Sequence, residues 1–157
     1  MLELNDYITK NKLFYNIVII GRQTKYWRKI AQNFDTSRIL FKTNISDEEK
    51  YEYFKSSFLL YLTKCEGFGI PTIEAVNHGC PVICYDIPIM REILGKTGIY
   101  ISQDEINVAT KVIDAANKYS QSDYNSLIME RRSILSVYSQ DKFKIQFDSM
   151  IEQINEI

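Results

Sequence analysis

The stretch CEGFGIPTIE, Cys65 to Glu74, sets two glutamates on either side of two glycines and a proline. A carboxylate can accept hydrogen bonds from two adjacent hydroxyls at once, the pattern a sugar presents. Gly67 and Gly69 allow positive φ and close approach of the backbone to a ligand. Pro71 suits the first position of a helix, whose opening amides have no internal partners. Those amides and the helix dipole favour an anion such as a phosphate. Glu74 is expected in the first turn of that helix. The chemistry on offer is a phosphate-receptive helix entrance flanked by hydroxyl-binding acids, which matches a ligand with sugar on both sides of a diphosphate. A plainer reading stands beside it: an acid in a helix's first turn commonly just complements the dipole, and Glu66 is then a solvated loop residue.

Regular elements must hold this loop in place. NIVIIG (16–21), RILF (38–41), FLLYLT (58–63), PVICYD (81–86) and GIYI (98–101) read as strands. The first and third are near-continuous apolar runs, the pattern of strands buried on both faces. Residues 2–10 read as a short helix or a frayed lead-in, 24–34, 71–79 and 87–95 as helices between the strands, and Ser46 opens another with acids in its first turn. Gly79 and Gly95 are helix stops. From Glu105 the pattern is helical, in three pieces with breaks near 120–123 and 138–141. Strands alternating with helices predict an α/β fold, a doubly wound parallel sheet of about five strands in the order 2-1-3-4-5 with helices on both faces. In such sheets ligands bind beyond the carboxyl ends of the strands, where the order reverses. The loop beginning at Cys65 lies there.

The length of 157 residues fits one domain. Chains of this size bury roughly 68–70% of their unfolded surface, enough for a core without disulfides. A net charge of −1 argues against a nucleic-acid or anionic-membrane partner. No apolar run reaches the roughly 20 residues of a membrane-crossing helix. The first residues lack a signal peptide's apolar stretch, and three cysteines without framework spacing fit the cytoplasm.

The run EGFGIPTIEAVNHGCPVICYDIPIMREILGKTGIYI resembles the donor-binding, C-terminal domain of GT-B glycosyltransferases of the large retaining family 4, the glycosyl transferases group 1. Glu66, Gly67, Phe68, Gly69, Pro71, Glu74, Ala75, Gly79, Pro81, Val82, Ile83, Glu92, Gly95 and Gly98 carry the likeness in order. A weaker match runs from about Asn16 to the carboxyl end. The resemblance implies a Rossmann-like domain that binds a nucleotide-diphosphate sugar for retaining transfer in polysaccharide or glycolipid synthesis, without a metal or other cofactor. It implies that Glu74 grips the donor's ribose hydroxyls. Glu66 contacts hydroxyls of the transferred sugar and is the catalytic candidate. The backbone around Phe68, Gly69 and Ile70 meets the sugar and diphosphate, with Thr72 adding an amide or hydroxyl. Thr63 stands where the family often has Ser. The segment Lys42–Asn44, with Thr43 at its centre, lies beside the nucleobase.

The likeness also has gaps. The family's acceptor domain is not visible in residues 1–157, and the donor domain's usual first strand, with its Arg–Lys loop, has no counterpart before NIVIIG. The reading is a single donor domain, incomplete at its N-terminus: part of a longer enzyme, a non-catalytic remnant, or one subunit of a split glycosyltransferase whose acceptor domain is a separate chain. Alone it should have weak or no activity, and peripheral membrane association is left to the other half. Arg22 and Lys25, after the first strand, are substitute clamps for the diphosphate, or else the solvated face that such charge runs usually form. Arg91 is read as part of a helix-surface salt bridge rather than a donor contact. His78, Cys80, Cys84 and Cys65 make a poor zinc set, since Cys80 flanks and Cys84 lies in a buried strand, where free cysteine is common.

Overall fold

The computed structural model describes residues 2–32, 35–119 and 129. The expected breaks near 120–123 and 138–141, and the last residues of helix 24–34, fall outside them. The elements are α1 (Leu2–Lys10), β1 (Ile17–Ile20), α2 (Lys25–Ala31), β2 (Ile39–Lys42), α3 (Asp47–Lys55), β3 (Leu59–Tyr61), α4 (Ile70–Asn77), β4 (Val82–Tyr85), α5 (Pro88–Leu94), β5 (Gly98–Ile101) and α6 (Val108–Lys118), with a 3-10 turn at Gly95–Thr97 before β5.

Capping explains several boundaries. Ser46 precedes α3 in an extended conformation, and its Oγ accepts from the Glu49 amide at 3.2 Å, while Asp47, Glu48 and Glu49 fill the first turn. Thr24 does the same for α2, accepting from the Trp27 amide at 3.1 Å. Helix α4 stops at His78 because Gly79 takes a φ of +78°.

The strands run parallel. Ile17 of β1 pairs with Ile39 of β2, Leu59 of β3 with Val82 of β4, and Val82 with Gly98 of β5. Along β4 the side chains alternate. Val82 and Cys84 face α3, α4 and α5, among Phe54, Ala75, Val76, Met90, Ile93 and Leu94. Ile83 faces the other way with Ile99 and Ile101, toward Leu4 and Ile8 of α1 and Val112 and Ile113 of α6. Helices therefore cover both faces, as expected of a doubly wound sheet.

The expected continuous order 2-1-3-4-5 appears in two pieces. Ladders join β1 to β2 and β3 to β4 to β5, and among the described residues none joins β1 to β3. This corrects the expectation that the first and third strands are buried on both faces. Strand β4 has a neighbour on each edge, and Val82, Ile83 and Cys84 are at most 1% exposed. Strand β3 has one neighbour and is half-buried throughout, and in β1 only Ile17 is fully buried while Ile20 is 42% exposed. An apolar run in sequence marks a strand suited to the interior, but a laddered neighbour on each edge completes its burial.

This difference is measurable. Ile83→Ala should cost about 2–5 kcal/mol in urea unfolding, because it empties a filled site. Ile20→Ala should cost about 1 kcal/mol or less, since much of its side chain already meets water. Equal costs would contradict the exposure of β1.

Candidate functional site

The loop at the carboxyl end of β3 is held by its own acid. Tyr61 Oη donates to Glu66 Oε2 at 2.5 Å, and the Gly67 amide donates to Glu66 Oε1 at 3.0 Å. These donors, the Tyr61 hydroxyl foremost and then the Gly67 and Phe68 amides, hold the Glu66 carboxyl below its usual range against the opposing effect of burial. In turn, burial and then the Glu66 bond push the Tyr61 hydroxyl up to about 12. Glu66 is thus an anchored anion rather than a free loop residue. Just before it, Thr63 Oγ1 donates to the Cys65 carbonyl at 2.7 Å and tightens the entry.

Gly69 sets where α4 begins. Its φ is +76°, in the left-handed region, and a Cβ there would lie 2.6 Å from Met90 Cε. Side chains resist that conformation, and a buried methionine leaves no room for one. Gly67 needs no such freedom: its φ is not positive, and open space surrounds it. The expectation of positive φ at both glycines therefore holds at Gly69 alone, because the chain reverses at one residue. With Gly69 as the cap, Ile70 is the first helical residue and Pro71 the second, one later than expected. Glu74 is then the fifth residue, past the first turn, so complementing the dipole is not its task.

No side chain caps the start of α4. Thr72 is committed instead to the Gly69 carbonyl, which accepts from its Oγ1 at 2.7 Å and from its amide at 2.9 Å. Thr72 is fully buried, so the phosphate contact expected of it has no spare proton in this arrangement. It braces the left-handed turn from within. Phe68 and Ile70, 39% and 61% exposed, present apolar surface on either side of that turn.

Glu74 is one-third exposed and has a cationic partner that the sequence reading did not single out. Lys50 Nζ lies 3.2 Å from each of its carboxylate oxygens and 3.0 Å from Asp47 Oδ1. His78 continues the cluster: its Nδ1 is 2.8 Å from the Glu74 carbonyl, and its ring stacks on Tyr51 at 3.7 Å. Tyr61 was missed as well. Its signal was faint, a hydroxyl near the end of an apolar run, five residues before the acid it holds. Lys50 had a sharper one, a lone cation three residues after Asp47 in an acid-rich helix start.

The other expected residues lie in the segments that follow β1 and β2. Arg22 follows β1, Lys25 opens α2 and Thr43 follows β2, and all three side chains are exposed. The Gly21 amide donates to the Lys42 carbonyl at 2.9 Å, which brings the segments bearing Arg22 and Thr43 side by side. Among the described residues no ladder ties that pair of strands to β3, so these residues reach the side of Glu66 and Glu74 only through the shared core. Arg91 grips Asp86 through two bonds, at 2.7 and 2.6 Å, with its guanidinium 4.0 Å from the Tyr100 ring centre. Cys80 and Cys84 are buried, Cys65 is exposed, and among the described residues no cluster of His, Cys, Asp and Glu is placed to hold a metal ion.

A family model, glycosyl transferases group 1, matches residues 1–128. The chain belongs to that family. It is 32% identical over 110 residues to the O-antigen chain mannosyltransferase RfbU of Salmonella typhimurium, covering 65% of this chain and 31% of that one. It is 35% identical over 114 residues to the serotype-specific mannosyltransferase WbdA of Escherichia coli, covering 68% of this chain and 14% of that one. The chain thus spans less than a third of the length of these curated relatives. Among solved structures, TarM superposes with a TM-score of 0.68 at 21% identity, covering 94% of this chain and 31% of TarM. The pneumococcal O-GlcNAc transferase GtfA, solved with UDP and GlcNAc, gives 0.68 at 19% identity, covering 99% of this chain and 32% of GtfA. These likenesses support the GT-B, Rossmann-like fold.

The Tyr61–Glu66 bond has a testable electrostatic consequence. Tyr61→Phe removes the largest cause lowering the Glu66 pKa, so the midpoint should rise toward the ordinary carboxylate range. Carboxyl-carbon NMR titration reads it directly. Because the folded pKa lies below the unfolded one, the stabilisation is full above the usual carboxylate pKa. It fades as pH falls through the lowered one. Tyr61→Phe should therefore shrink the stability lost in acid, and an unmoved midpoint would show that the bond does not form in solution.

Proposed function

We propose that this chain is the donor-binding half of a retaining glycosyltransferase that takes a nucleotide-diphosphate sugar. One observation carries the reading: two carboxylates, Glu66 and Glu74, flank a helix entrance that no side chain caps, at the carboxyl end of a parallel strand. Glu74 accepts the ribose hydroxyls and Glu66 accepts hydroxyls of the transferred sugar. The diphosphate lies between them, against the amides around Phe68, Gly69 and Ile70 and the positive end of α4. The mannosyltransferase names of RfbU and WbdA support a hexose donor and a cell-surface polysaccharide product.

Transfer needs the bond from the sugar's anomeric carbon to the diphosphate oxygen to break and an acceptor oxygen to bond on the same face. The acceptor's proton leaves with the diphosphate. Most of the assistance is electrostatic, placed where negative charge develops on the leaving group. The start of α4 supplies part of it, and Arg22 and Lys25 are candidates for the rest, with Thr43 beside the base. No cofactor or metal is assigned a role. The acceptor site belongs to a second domain, joined in one polypeptide or supplied as a separate chain. The superposition on a chain of the GtfA/B complex, with a TM-score of 0.68, is compatible with a two-chain arrangement. No helix among the described residues is long and apolar enough to cross a membrane, and a cytoplasmic site of action is part of the proposal.

Calorimetry with UDP- and GDP-linked sugars tests this. One of them should bind, and Glu74→Ala should weaken it at least tenfold, about 1.4 kcal/mol. The absence of heat with every nucleotide at millimolar protein would exclude the donor-site reading. A Glu74→Ala affinity equal to that of the unaltered chain would remove Glu74 from the site.

A further inference from the structure

The geometry points to Lys50 as the residue that sets how tightly Glu74 takes a vicinal diol, by occupying the same edge of the carboxylate in the ligand-free site. This inference rests on the donor-site reading. The equal distances of 3.2 Å from Lys50 Nζ to Oε1 and Oε2 put the ammonium between the two oxygens, facing both. Two adjacent sugar hydroxyls donating to the same carboxylate take that position too. The diol and the ammonium therefore compete.

The surroundings fit exchange rather than a fixed ion pair. An ammonium has three protons. Two are directed at Glu74, and Asp47 Oδ1 at 3.0 Å takes the third. When a diol claims Glu74, Asp47 retains the cation, and the Tyr51 ring, whose centre is 5.1 Å from Nζ, gives it a second attractive surface. The Lys50 side chain is 20% exposed and Glu74 33%, so neither is sealed in and water can replace lost bonds. Burial disfavours the Lys50 charge, but the bonds to Asp47 and Glu74 outweigh it and hold the pKa above its ordinary value, so the competing group stays cationic at neutral pH. Tyr51 in turn is stacked on His78, which bonds the Glu74 carbonyl. One small cluster from α3 and α4 thus keeps the acid and its internal competitor within reach of each other.

Lys50→Met keeps the apolar stem and removes the competitor. In calorimetry, UDP and GDP identify the preferred base, and the 2′,3′-dideoxy form of that nucleotide lacks the diol. Lys50→Met should tighten the ribonucleoside diphosphate about threefold or more and leave the dideoxy form unchanged. Lys50→Arg, which keeps a cation against Glu74, should stay near the unaltered chain. Weaker binding of the ribonucleotide, or equal changes for both ligands, would overturn the competition, the second because it points to the phosphates. A second readout needs no nucleotide. In nitrogen-detected NMR of the ligand-free chain, Glu74→Gln should shift the Lys50 Nζ signal. If it does not, the contact is absent and the inference fails even where nucleotides bind. If the Nζ signal shifts but no nucleotide binds the unaltered chain, the donor-site reading fails, and this inference with it.

Discussion

The left-handed turn at Gly69 is the constraint on which the rest of the site depends. Its φ of +76° ends the loop and starts α4 in one residue, and Met90 packs where a side chain would stand. Met90 belongs to α5 and is itself completely buried, so a side chain at this turn would have to displace the end of a core methionine. Thr72 closes it from the helix side with a side-chain and a backbone bond to the same carbonyl. Moving that turn by one residue would rotate α4 by about 100° about its axis. Glu74 would then leave Lys50, and Ala75 and Val76 would leave the core they fill against β4. Packing of the interior thus fixes the direction of a polar side chain at the surface.

The two acids are held by different kinds of donor, which divides their electrostatic roles. Glu66 is bound by a hydroxyl and an amide, neutral groups that orient it without cancelling its charge. Glu74 is bound by an ammonium that is itself shared with Asp47. In the donor-site reading, an uncompensated carboxylate stands near a diphosphate. Like charges repel, and water screens part of that repulsion because Glu66 lies at the surface. The uncapped start of α4 offsets some of this, since a helix end carries about half a positive charge. The remainder calls for mobile cations, and the exposed side chains of Arg22 and Lys25 after β1 and of Lys64 after β3 are candidates.

Much of this was written in local sequence. Ser46 with three acids behind it, Gly79 after a helical run and Gly98–Ile101 as a four-residue apolar strand follow from capping and periodicity, which act over a few residues. Glu66 and Glu74 were visible because glycines and a proline mark the loop between them. What was hidden depends on contacts distant in sequence. Lys50 meets Glu74 across 24 residues, and no spacing rule connects α3 to α4. Thr72 looked available for a phosphate because its bond to Gly69 exists only once the turn has formed. The half-exposure of β1 and β3 was illegible for a related reason: an apolar run records what a strand prefers, not which neighbours it obtains.

That last point bears on how the site would work. Glu66 follows β3 and Glu74 lies on α4, elements packed with α3 on β4 around a filled core. Arg22, Lys25 and Thr43 follow β1 and β2, which share the second core through Ile17 and Ile39 but, among the described residues, have no ladder to β3. Side-chain packing is less directional than a backbone ladder, so among the described residues the β1–β2 pair meets β3 through the less specific kind of contact. A ligand held by the acids on one side and by Arg22 or Thr43 on the other must order this junction as it binds. Part of its contact energy goes into that ordering, which weakens the observed affinity without removing any contact. A ligand touching only α4 and Glu74 escapes that cost. In the donor-site reading, the sugar and ribose grip therefore draws on the elements packed around β4, and the grip on phosphate and base is completed from the β1–β2 pair.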